Sequence, residues 1–417
     1  MSTDAANALA INGGKPVRTE PFPPRNLFTE EEKQAAAALF DKSIASGGAF
    51  GYNGEEEEAY CREFAAFLGG GYADAVNSGT NAVYVALRAL DLEPFTEVIV
   101  PCVTDMGGVM PVPLMNCIPV PADVAPGSYN MGPEQVEARI TDRTSAIVVA
   151  HISGLPADMD PILEIAKAKG IPVVEDCAQA HGAKYKGRLV GTMGDVAAFS
   201  TMSGKHHATG AQGGVVFTKS EETYWKARRA ADRGKPFNVE GSTGNVTCGL
   251  NCNLNELSAA IGRVQLRKLP AIVEGCRRAG MAVAERCQGL KAVEVDTGVP
   301  GAESAFWFVV FRLDPAKVSV DIDTFVQALQ AEGLPFAGHY TTPFTRHDWF
   351  RNRAVFGTSG YPWACPLYTG DPDREYPLPN FDAVDGTLFR IKVHENCGDL
   401  EAEQIAAALG KAEAAFL

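Results

Sequence analysis

Residues 172–182 read Pro172-Val173-Val174-Glu175-Asp176-Cys177-Ala178-Gln179-Ala180-His181-Gly182. The short apolar run predicts a buried parallel strand over 172–177, and the strand ends in two acids. Ligand-binding residues of open α/β sheets gather at the carboxyl ends of the strands. Neighbouring strand residues face opposite sides of the sheet, so only one of the two acids can face a given ligand. An acid that merely caps the following segment is the alternative interpretation.

The flanking sequence alternates short apolar runs with amphipathic stretches. This alternation predicts a mainly parallel sheet that helices cover on both faces, which is an α/β fold. The predicted strands are Glu97–Pro101, Cys117–Ala122, Ala146–Ile152, Pro172–Cys177, Val196–Ser200 and Gly214–Thr218. The predicted helices between them are Thr80–Asp91, Gly132–Ile140, Asp160–Gly170 and Glu221–Asp232.

The pattern changes from about Leu254. Apolar residues at helical spacing predict one long helix over 254–287 with a kink at Pro270. A strand at 305–313, a helix at 321–333, a strand at 388–394 and a last helix at 400–416 follow, and they predict a small α/β domain. A chain of 417 residues exceeds the size at which one hydrophobic core stops growing, which also favours two domains.

Composition excludes several classes of partner. A formal net charge of -14 would repel nucleic acid and anionic membrane surfaces. No apolar run approaches the ~18 residues that span a bilayer, and the first residues lack the basic start of a signal peptide, so we expect a cytoplasmic protein. The 10 cysteines are scattered through apolar runs and predict buried free thiols. Cys248 and Cys252 have no second pair nearby, and we expect no metal site.

Residues 76–82 read Val76-Asn77-Ser78-Gly79-Thr80-Asn81-Ala82 and precede an amphipathic helix. Small residues at a helix start let a phosphate approach the free amides at the positive end of the helix dipole. A plain N-cap, in which Ser78 or Thr80 satisfies the first turn, is the alternative.

Lys205 lies between two predicted strands, in a loop rich in glycine and serine with no acid near it in the sequence. Desolvation and nearby positive charge would lower the pKa of such a lysine. A solvated loop lysine is the alternative. The adjacent His206 and His207 do not predict a metal site, because neighbouring side chains rarely converge on one ion. A lysine, an acid and a phosphate cradle are the parts that pyridoxal phosphate requires.

The order of these motifs resembles the DegT/DnrJ/EryC1/StrS family of sugar aminotransferases. The Gly-Thr cradle is followed by Glu-Asp-x-Ala-Gln-Ala-His-Gly-Ala, Phe-Ser, Lys and Gly-Gly in the family order. Three more segments are similar to family motifs: 9–18, which looks like the opening of cyclitol-type members, 151–160 and 249–253. The similarity runs over most of the chain.

The resemblance implies a role for each site residue. Lys205 would form the Schiff base with pyridoxal 5'-phosphate, Asp176 would pair with the pyridine nitrogen, and Gln179 would bind the ring hydroxyl or lie against the ring. The implied cofactor-binding residues are Ser78, Gly79, Thr80, Asp105, Asp176, Gln179, Ser200, Lys205 and Asn251. Asn251 would reach in from a partner subunit.

The resemblance also implies the type I aminotransferase fold. We expect a large domain, residues 1–265, with a mainly parallel seven-stranded sheet, and a small C-terminal α/β domain, residues 266–417. Residues 1–25 would form an arm that can pack on the small domain. The expected assembly is a homodimer with shared active sites.

Three residues depart from the family pattern. Asp105 follows Thr104 where the family usually places an aromatic residue or histidine over the cofactor ring. Asn253 replaces an arginine in Gly-x-Asn-x-Arg, and Gln212 replaces a glutamate. These changes affect the pocket walls more than the core chemistry.

The expected reaction moves an amino group from glutamate or glutamine to a nucleotide-linked keto-sugar or a cyclitol ketone, by a ping-pong mechanism. One alternative is a sugar dehydratase, whose members replace the lysine with histidine, and His206 is adjacent. A second is a regulatory or sensor protein that keeps the fold without activity. A nicotinamide-dependent oxidoreductase is disfavoured because no G-x-G-x-x-G occurs at an early strand–helix turn.

Overall fold

The computed structural model of the protein describes residues 8–417. Its largest sheet has seven strands in the spatial order β1-β9-β8-β5-β4-β2-β3. These strands are β1 Tyr72–Val76, β2 Glu97–Pro101, β3 Ile118–Ala122, β4 Thr144–Ala150, β5 Val173–Asp176, β8 Val196–Ser200 and β9 Gly214–Thr218. Only β9 runs antiparallel to its neighbours, β1 and β8, so the predicted mainly parallel sheet is confirmed.

The six strands predicted from the sequence are present within two residues of the predicted ends. Sequence reasoning missed β1, because Asp74 interrupts its short apolar run. Asp74 is buried, and its Oδ1 accepts a hydrogen bond at 2.7 Å from Nη1 of Arg228. The strand therefore buries an acid together with a basic partner, which a pattern of apolar residues does not reveal.

Helices cover both faces of this sheet. Sequence reasoning also missed the first two helices, whose first turns consist largely of glutamate. The helices of this part of the chain are α1 Glu30–Ser46, α2 Glu55–Phe67, α3 Gly79–Arg88, α4 Pro111–Leu114, α5 Pro133–Glu137, α6 Met159–Lys169 and α7 Glu221–Ala231.

A second sheet of four strands has the order β10-β12-β14-β13, and short strands form a third sheet in the order β11-β6-β7. The strands are β6 Lys184–Tyr185, β7 Arg188–Leu189, β10 Val293–Asp296, β11 Ala302–Glu303, β12 Val309–Leu313, β13 Phe336–Ala337 and β14 Leu388–Ile391. The later helices are α8 Glu256–Arg286, α9 Ile322–Ala331, α10 Asp348–Arg351, α11 Pro379–Val384 and α12 Asp399–Phe416.

Helix α8 runs through two hydrophobic cores. Leu266 and Leu269 pack in a core beneath the seven-stranded sheet, whereas Ala279 and Val283 pack in the core of the four-stranded sheet. Pro270 lies inside the helix. The predicted domain division between residues 265 and 266 falls within this helix and stays a prediction.

The segment before α1 lies against the C-terminal part of the chain. Leu9 is fully buried in the core of the four-stranded sheet. Arg18 forms a salt bridge of 3.2 Å with Glu401 of α12, and the Val17 amide donates to the Glu332 carboxylate at 3.0 Å. These contacts tie residues 9–18 to α12 and to the end of α9.

The described helices include none that is both long enough and apolar enough to cross a bilayer. The ten cysteines are free thiols, and all of them except Cys248 are buried. The predicted buried free thiols are therefore present.

We predict that Arg228→Ala destabilises the protein strongly. The substitution leaves the buried Asp74 carboxylate without its positive partner. Glu57 lies near the same guanidinium, and burial raises the pKa of Glu57 to about 8. Breaking a buried ion pair in this way costs about 3–5 kcal/mol. Urea unfolding curves measure the loss. Arg286→Ala, which removes an exposed ion pair with Asp399, is the control and should change stability by less than about 1 kcal/mol. Equal losses in both variants would contradict the prediction.

Candidate active site

A cleft of about 260 Å³ opens where the carboxyl ends of β4, β5 and β8 meet the start of α3. Strands that run parallel bring their carboxyl ends to one edge of the sheet, so residues far apart in sequence converge there. The cleft is lined by Ser78, Gly79, Thr80, Val83, Thr104, Asp105, Gly107, Gly108, Ala150, His151, Ile152, Asp176, Ala178, Gln179, Ser200, Met202, Lys205 and Gln212. Of the nine site residues predicted from the sequence, all except Asn251 line it.

The two acids at the end of β5 face different surroundings, as strand alternation requires. The Glu175 carboxylate accepts hydrogen bonds from the backbone amides of Gly191, Met193 and Gly194 at 2.6–2.7 Å. It also binds Nε2 of His151 at 3.1 Å. Burial alone would raise the pKa of Glu175, but the hydrogen bonds from His151 and these amides lower it. Glu175 is therefore a structural anion, and Asp176 is the acid that the cleft exposes.

His151 has a protein partner at each ring nitrogen. Its Nδ1 accepts a hydrogen bond from the Ala157 amide at 3.1 Å. A backbone N–H can only donate, so Nδ1 carries a lone pair and the ring proton is on Nε2, which donates to Glu175. Glu175, His151 and Cys177 lie close enough to be considered as metal ligands. Since both nitrogens of His151 and both oxygens of Glu175 already have protein partners, the group does not need an ion.

Asp176 is buried at the floor of the cleft. Its Oδ1 accepts a hydrogen bond of 3.0 Å from the Ala178 amide. Burial raises the pKa of Asp176, although that amide and the charge of Lys205 act in the opposite direction. A buried carboxylate with so little compensation is stabilised by a ligand that brings a positively charged N–H.

The start of α3 forms an anion cradle. Oγ of Ser78 accepts a hydrogen bond from the Asn81 amide at 3.1 Å, so Ser78 is the N-cap. The amides of Gly79 and Thr80 belong to the first turn, which has no intrahelical acceptors. A Cβ atom on Gly79 would lie only 2.5 Å from Cβ of Ser200. Cap and cradle therefore coexist, because the Ser78 side chain caps the helix while the first-turn amides stay free for an anion.

Lys205 is a buried amine. Its side chain lies in the cleft, and Nζ is 3.9 Å from the centroid of the Trp307 ring. Burial lowers the pKa of Lys205 to about 8, although Asp176 and Asp105 act in the opposite direction. The lysine is not solvated, so the alternative interpretation is wrong for this loop. A neutral amine is accessible near physiological pH.

His206 does not take the place of Lys205. The imidazole is buried, and its Nε2 lies 3.0 Å from the Ala305 carbonyl oxygen. His207 is buried on a different contact, 3.1 Å from the Gly262 carbonyl oxygen. The two neighbouring rings therefore bind separate carbonyls, and neither is among the residues that line the cleft.

Gln179 joins the cleft to a tyrosine that sequence reasoning missed. Its Nε2 donates to the Tyr340 hydroxyl at 2.8 Å, and its Oε1 accepts from the Ser153 amide at 2.8 Å. Tyr340 lies in an irregular segment after β13, and the amide of Tyr340 donates to the Tyr129 hydroxyl. The side-chain amide of Gln179 is thus held at both ends.

Asp105 caps a short turn at the cleft wall. Its Oδ1 accepts a hydrogen bond of 2.9 Å from the Gly107 amide, at the start of the 3-10 turn Met106–Gly108. A Cβ atom on Gly107 would lie 2.5 Å from Oγ1 of Thr80, and one on Gly108 would lie 2.8 Å from Oδ2 of Asp176. Where an aromatic ring was expected, a glycine-containing turn packs closely on the cradle and the acid.

Asn251 lies outside the cleft of its own chain. It is exposed, and its Oδ1 accepts a hydrogen bond of 2.7 Å from Nδ2 of Asn253. The backbone of the segment that carries Asn251 lies beside the end of β1, where the Asn77 amide donates a hydrogen bond of 2.7 Å to the Cys252 carbonyl. The contribution of Asn251 to the site of a partner subunit stays a prediction.

The residues present fit pyridoxal phosphate on three independent features. The first turn of α3 offers free backbone amides. Residue 79 there is a glycine, and a larger side chain at that position would fill the cradle. Asp176 is a buried carboxylate that forms no salt bridge within residues 8–417, and Lys205 supplies a buried amine in the same cleft.

Comparison with known proteins agrees with this fit. The model of the DegT/DnrJ/EryC1/StrS aminotransferase family matches residues 29–368. The 3-amino-5-hydroxybenzoate synthase of Amycolatopsis mediterranei (strain S699) is 37% identical, with 82% of this chain and 85% of the relative covered. The L-glutamine:2-deoxy-scyllo-inosose aminotransferase of Streptomyces lividus is 32% identical, with 97% of each chain covered. The crystal structure of an aminotransferase from Psychrobacter cryohalolentis has a TM-score of 0.81 at 27% identity, covering 93% of this chain and 98% of that one.

Fold and site together define a pyridoxal-phosphate-dependent aminotransferase with the type I fold. The chain belongs to the DegT/DnrJ/EryC1/StrS aminotransferase family. The predictions of fold, cofactor and enzyme class made from the sequence are thereby confirmed.

We predict that Gly79→Ala weakens binding of pyridoxal phosphate. The added methyl group would contact Ser200 at 2.5 Å and displace either the strand end or the first turn of α3. We expect the dissociation constant to rise at least tenfold, which is about 1.4 kcal/mol. Absorbance titration of the cofactor-free protein measures it. Gly244→Ala is the control, because no atom lies within 4 Å of the added methyl. Unchanged affinity in Gly79→Ala would argue against a cradle here.

We also predict the pH dependence of covalent capture of pyridoxal phosphate by the cofactor-free protein. Only the neutral amine attacks the aldehyde. Because burial lowers the pKa of Lys205 to about 8, the amine is charged below that pH and neutral above it. The capture rate should therefore rise with pH and level off above about 8. Stopped-flow absorbance measures the rate, with N-α-acetyl-lysine as the solvated control. A midpoint near 10.5, the ordinary value, would contradict a buried amine.

Proposed function

We propose that the protein transfers the amino group of glutamine or glutamate to a six-membered carbocyclic ketone, by a ping-pong mechanism in which Lys205 acts in both half-reactions. The observation that carries the proposal is the convergence of Lys205, Asp176 and the start of α3 in one cleft. The names of two relatives support the acceptor class, since 2-deoxy-scyllo-inosose is a carbocyclic ketone and 3-amino-5-hydroxybenzoate is an aminated carbocycle. A nucleotide-linked keto-sugar is the other acceptor class within the family.

Lys205 has two tasks in this proposal. With the cofactor bound, the Lys205 amine would hold it by a covalent link to its aldehyde carbon, and the amino donor would displace Lys205. The released amine would then take the α-proton of the donor and return a proton to the carbon that had carried the aldehyde. Both tasks need a neutral amine, which burial of Lys205 makes accessible near pH 8. The cofactor, when bound, supplies a conjugated ring that accepts the electron pair released at the donor's α-carbon.

Asp176 and the cradle would hold two different parts of the cofactor. The Asp176 carboxylate at the end of β5 would keep a proton on the pyridine nitrogen, and this positive charge is what makes the ring an electron acceptor. In the same cleft, Ser78, Gly79, Thr80 and Ser200 would hold the phosphate.

Gln179 is proposed to fix the ring face. Both ends of its side-chain amide are held, by the Ser153 amide and by the Tyr340 hydroxyl. A side chain restrained in this way keeps its position when substrates exchange. We further propose a homodimer in which Asn251 of each subunit contributes to the neighbouring site.

The proposal is tested with glutamine labelled with ¹⁵N at the α-amino group and a panel of inososes and nucleotide-linked keto-sugars. We expect the label in the product from at least one inosose, as measured by mass spectrometry. Lys205→Ala should transfer no label to any acceptor. Label in a keto-sugar only would replace the acceptor class and leave the chemistry intact. Failure of the cofactor-loaded protein to take the amino group from either glutamine or glutamate would refute the function.

A further inference from the structure

Arg25 binds the backbone of the loop that carries Lys205. Its Nη1 donates to the Lys205 carbonyl at 2.6 Å, and its Nη2 donates to the His206 carbonyl at 3.1 Å. Arg25 precedes α1 in the segment before the seven-stranded sheet, 180 residues away from Lys205 in sequence. A planar guanidinium presents two N–H groups in a fixed fork, so it can hold two successive carbonyls in one orientation.

Arg25 is itself held in place. Its Nε lies 3.1 and 3.0 Å from the two carboxylate oxygens of Glu395, and the exposed fractions of the two side chains are 17% and 14%. The backbone around it is anchored as well, since Nε2 of His394 lies 2.9 Å from the Pro23 carbonyl oxygen. A charged donor in a partly desolvated setting makes shorter and stronger hydrogen bonds than a neutral one.

Two more donors bind the carbonyl just before Lys205. Nε1 of Trp307 donates to the Gly204 carbonyl at 2.9 Å, and Nζ of Lys392 lies 3.4 Å from the same oxygen. The Trp307 ring is also the surface on which the Lys205 amine lies. Three successive carbonyls, at residues 204–206, are therefore fixed by side chains from outside the seven-stranded sheet.

The physical need for such anchoring is specific to a lysine that is released during turnover. While Nζ is bound to the cofactor, the side chain is fixed at both ends. Once the donor has displaced it, only the backbone determines where the free amine lies. Misplacement of a reacting group by about 1 Å costs roughly 100-fold in rate.

We propose that Arg25 is a positioning residue for Lys205: it fixes the loop backbone so that the released amine stays over the reacting carbon. This role rests on the proposed function of Lys205, but the backbone anchoring can be tested without any reaction. Arg25→Ala removes both hydrogen bonds, whereas Arg25→Lys keeps the charge but lacks the planar fork that binds two successive carbonyls in one orientation.

The first measurement is hydrogen–deuterium exchange of the cofactor-free protein, followed on the peptide 201–209. Arg25→Ala should exchange there at least about tenfold faster than wild type, and Arg25→Lys should lie between them. The matched control is Arg18→Ala. Arg18 lies in the same N-terminal segment as Arg25, and its ion pair with Glu401 does not involve the loop that carries Lys205. Equal exchange of this peptide in wild type and Arg25→Ala would overturn the proposal.

The second measurement is kinetic, with rates counted per cofactor-bearing site so that unfolded protein does not contribute. Arg25→Ala should lower kcat about 10- to 100-fold with KM within about threefold, and should raise the deuterium isotope effect on the donor α-proton. A merely structural role would reduce the number of loaded sites and leave both values unchanged, and that result would also overturn the proposal. If Arg25→Ala exchanges faster but the wild-type protein transfers no amino group, the proposed function is refuted and the anchoring by Arg25 is not.

Discussion

The desolvation of one amine is the constraint on which the site depends. A lysine on the surface is charged at neutral pH and has no lone pair for a bond or a proton. Burial against Trp307 lowers the pKa of Lys205 to about 8, in spite of two acids that favour its charged form. A salt bridge directly to the amine would abolish this effect. Lys205 forms no salt bridge with any residue that the structure describes, and Asp176 in the same cleft directs its Oδ1 to a backbone amide.

Glu175, the other acid at the end of β5, leaves Asp176 available to a ligand. On the other side of β5, the Glu175 carboxylate accepts hydrogen bonds from three backbone amides and binds His151. These contacts fix the end of the strand, so Asp176 needs no further support from side chains and stays available to a ligand. One residue of the pair anchors the edge of the sheet, and its neighbour presents a charge to the cleft.

Much of this could be predicted from the sequence. Alternating strands and helices predict where the carboxyl ends of β4, β5 and β8 meet, and the residues alone indicated a cradle over 76–82, one of the acids at 175–176 and Lys205 as candidates. The family resemblance then assigned Asp176 and Ser200 to the site and gave each residue its role.

The remainder depends on contacts that no local pattern encodes. Trp307 lies in an apolar run that reads as core, and Tyr340 and Arg25 lie in irregular segments with no motif. Each of them reaches the cleft through hydrogen bonds between residues more than 100 positions apart in the sequence. Asp74, the buried acid in β1, was missed for the same reason, because its partner Arg228 lies in α7.

Asp105 shows how a wall of the site is rebuilt without an aromatic ring. Its carboxylate caps the turn Met106–Gly108, and the two glycines of that turn leave no room for a side chain between the backbone and Thr80 or Asp176. An acid at this position would be unfavourable beside Asp176 if its charge pointed at the same ligand. Because Oδ1 of Asp105 is bound to the Gly107 amide, part of that charge is used within the turn. Close packing of the backbone, rather than ring stacking, therefore confines this side of the cleft.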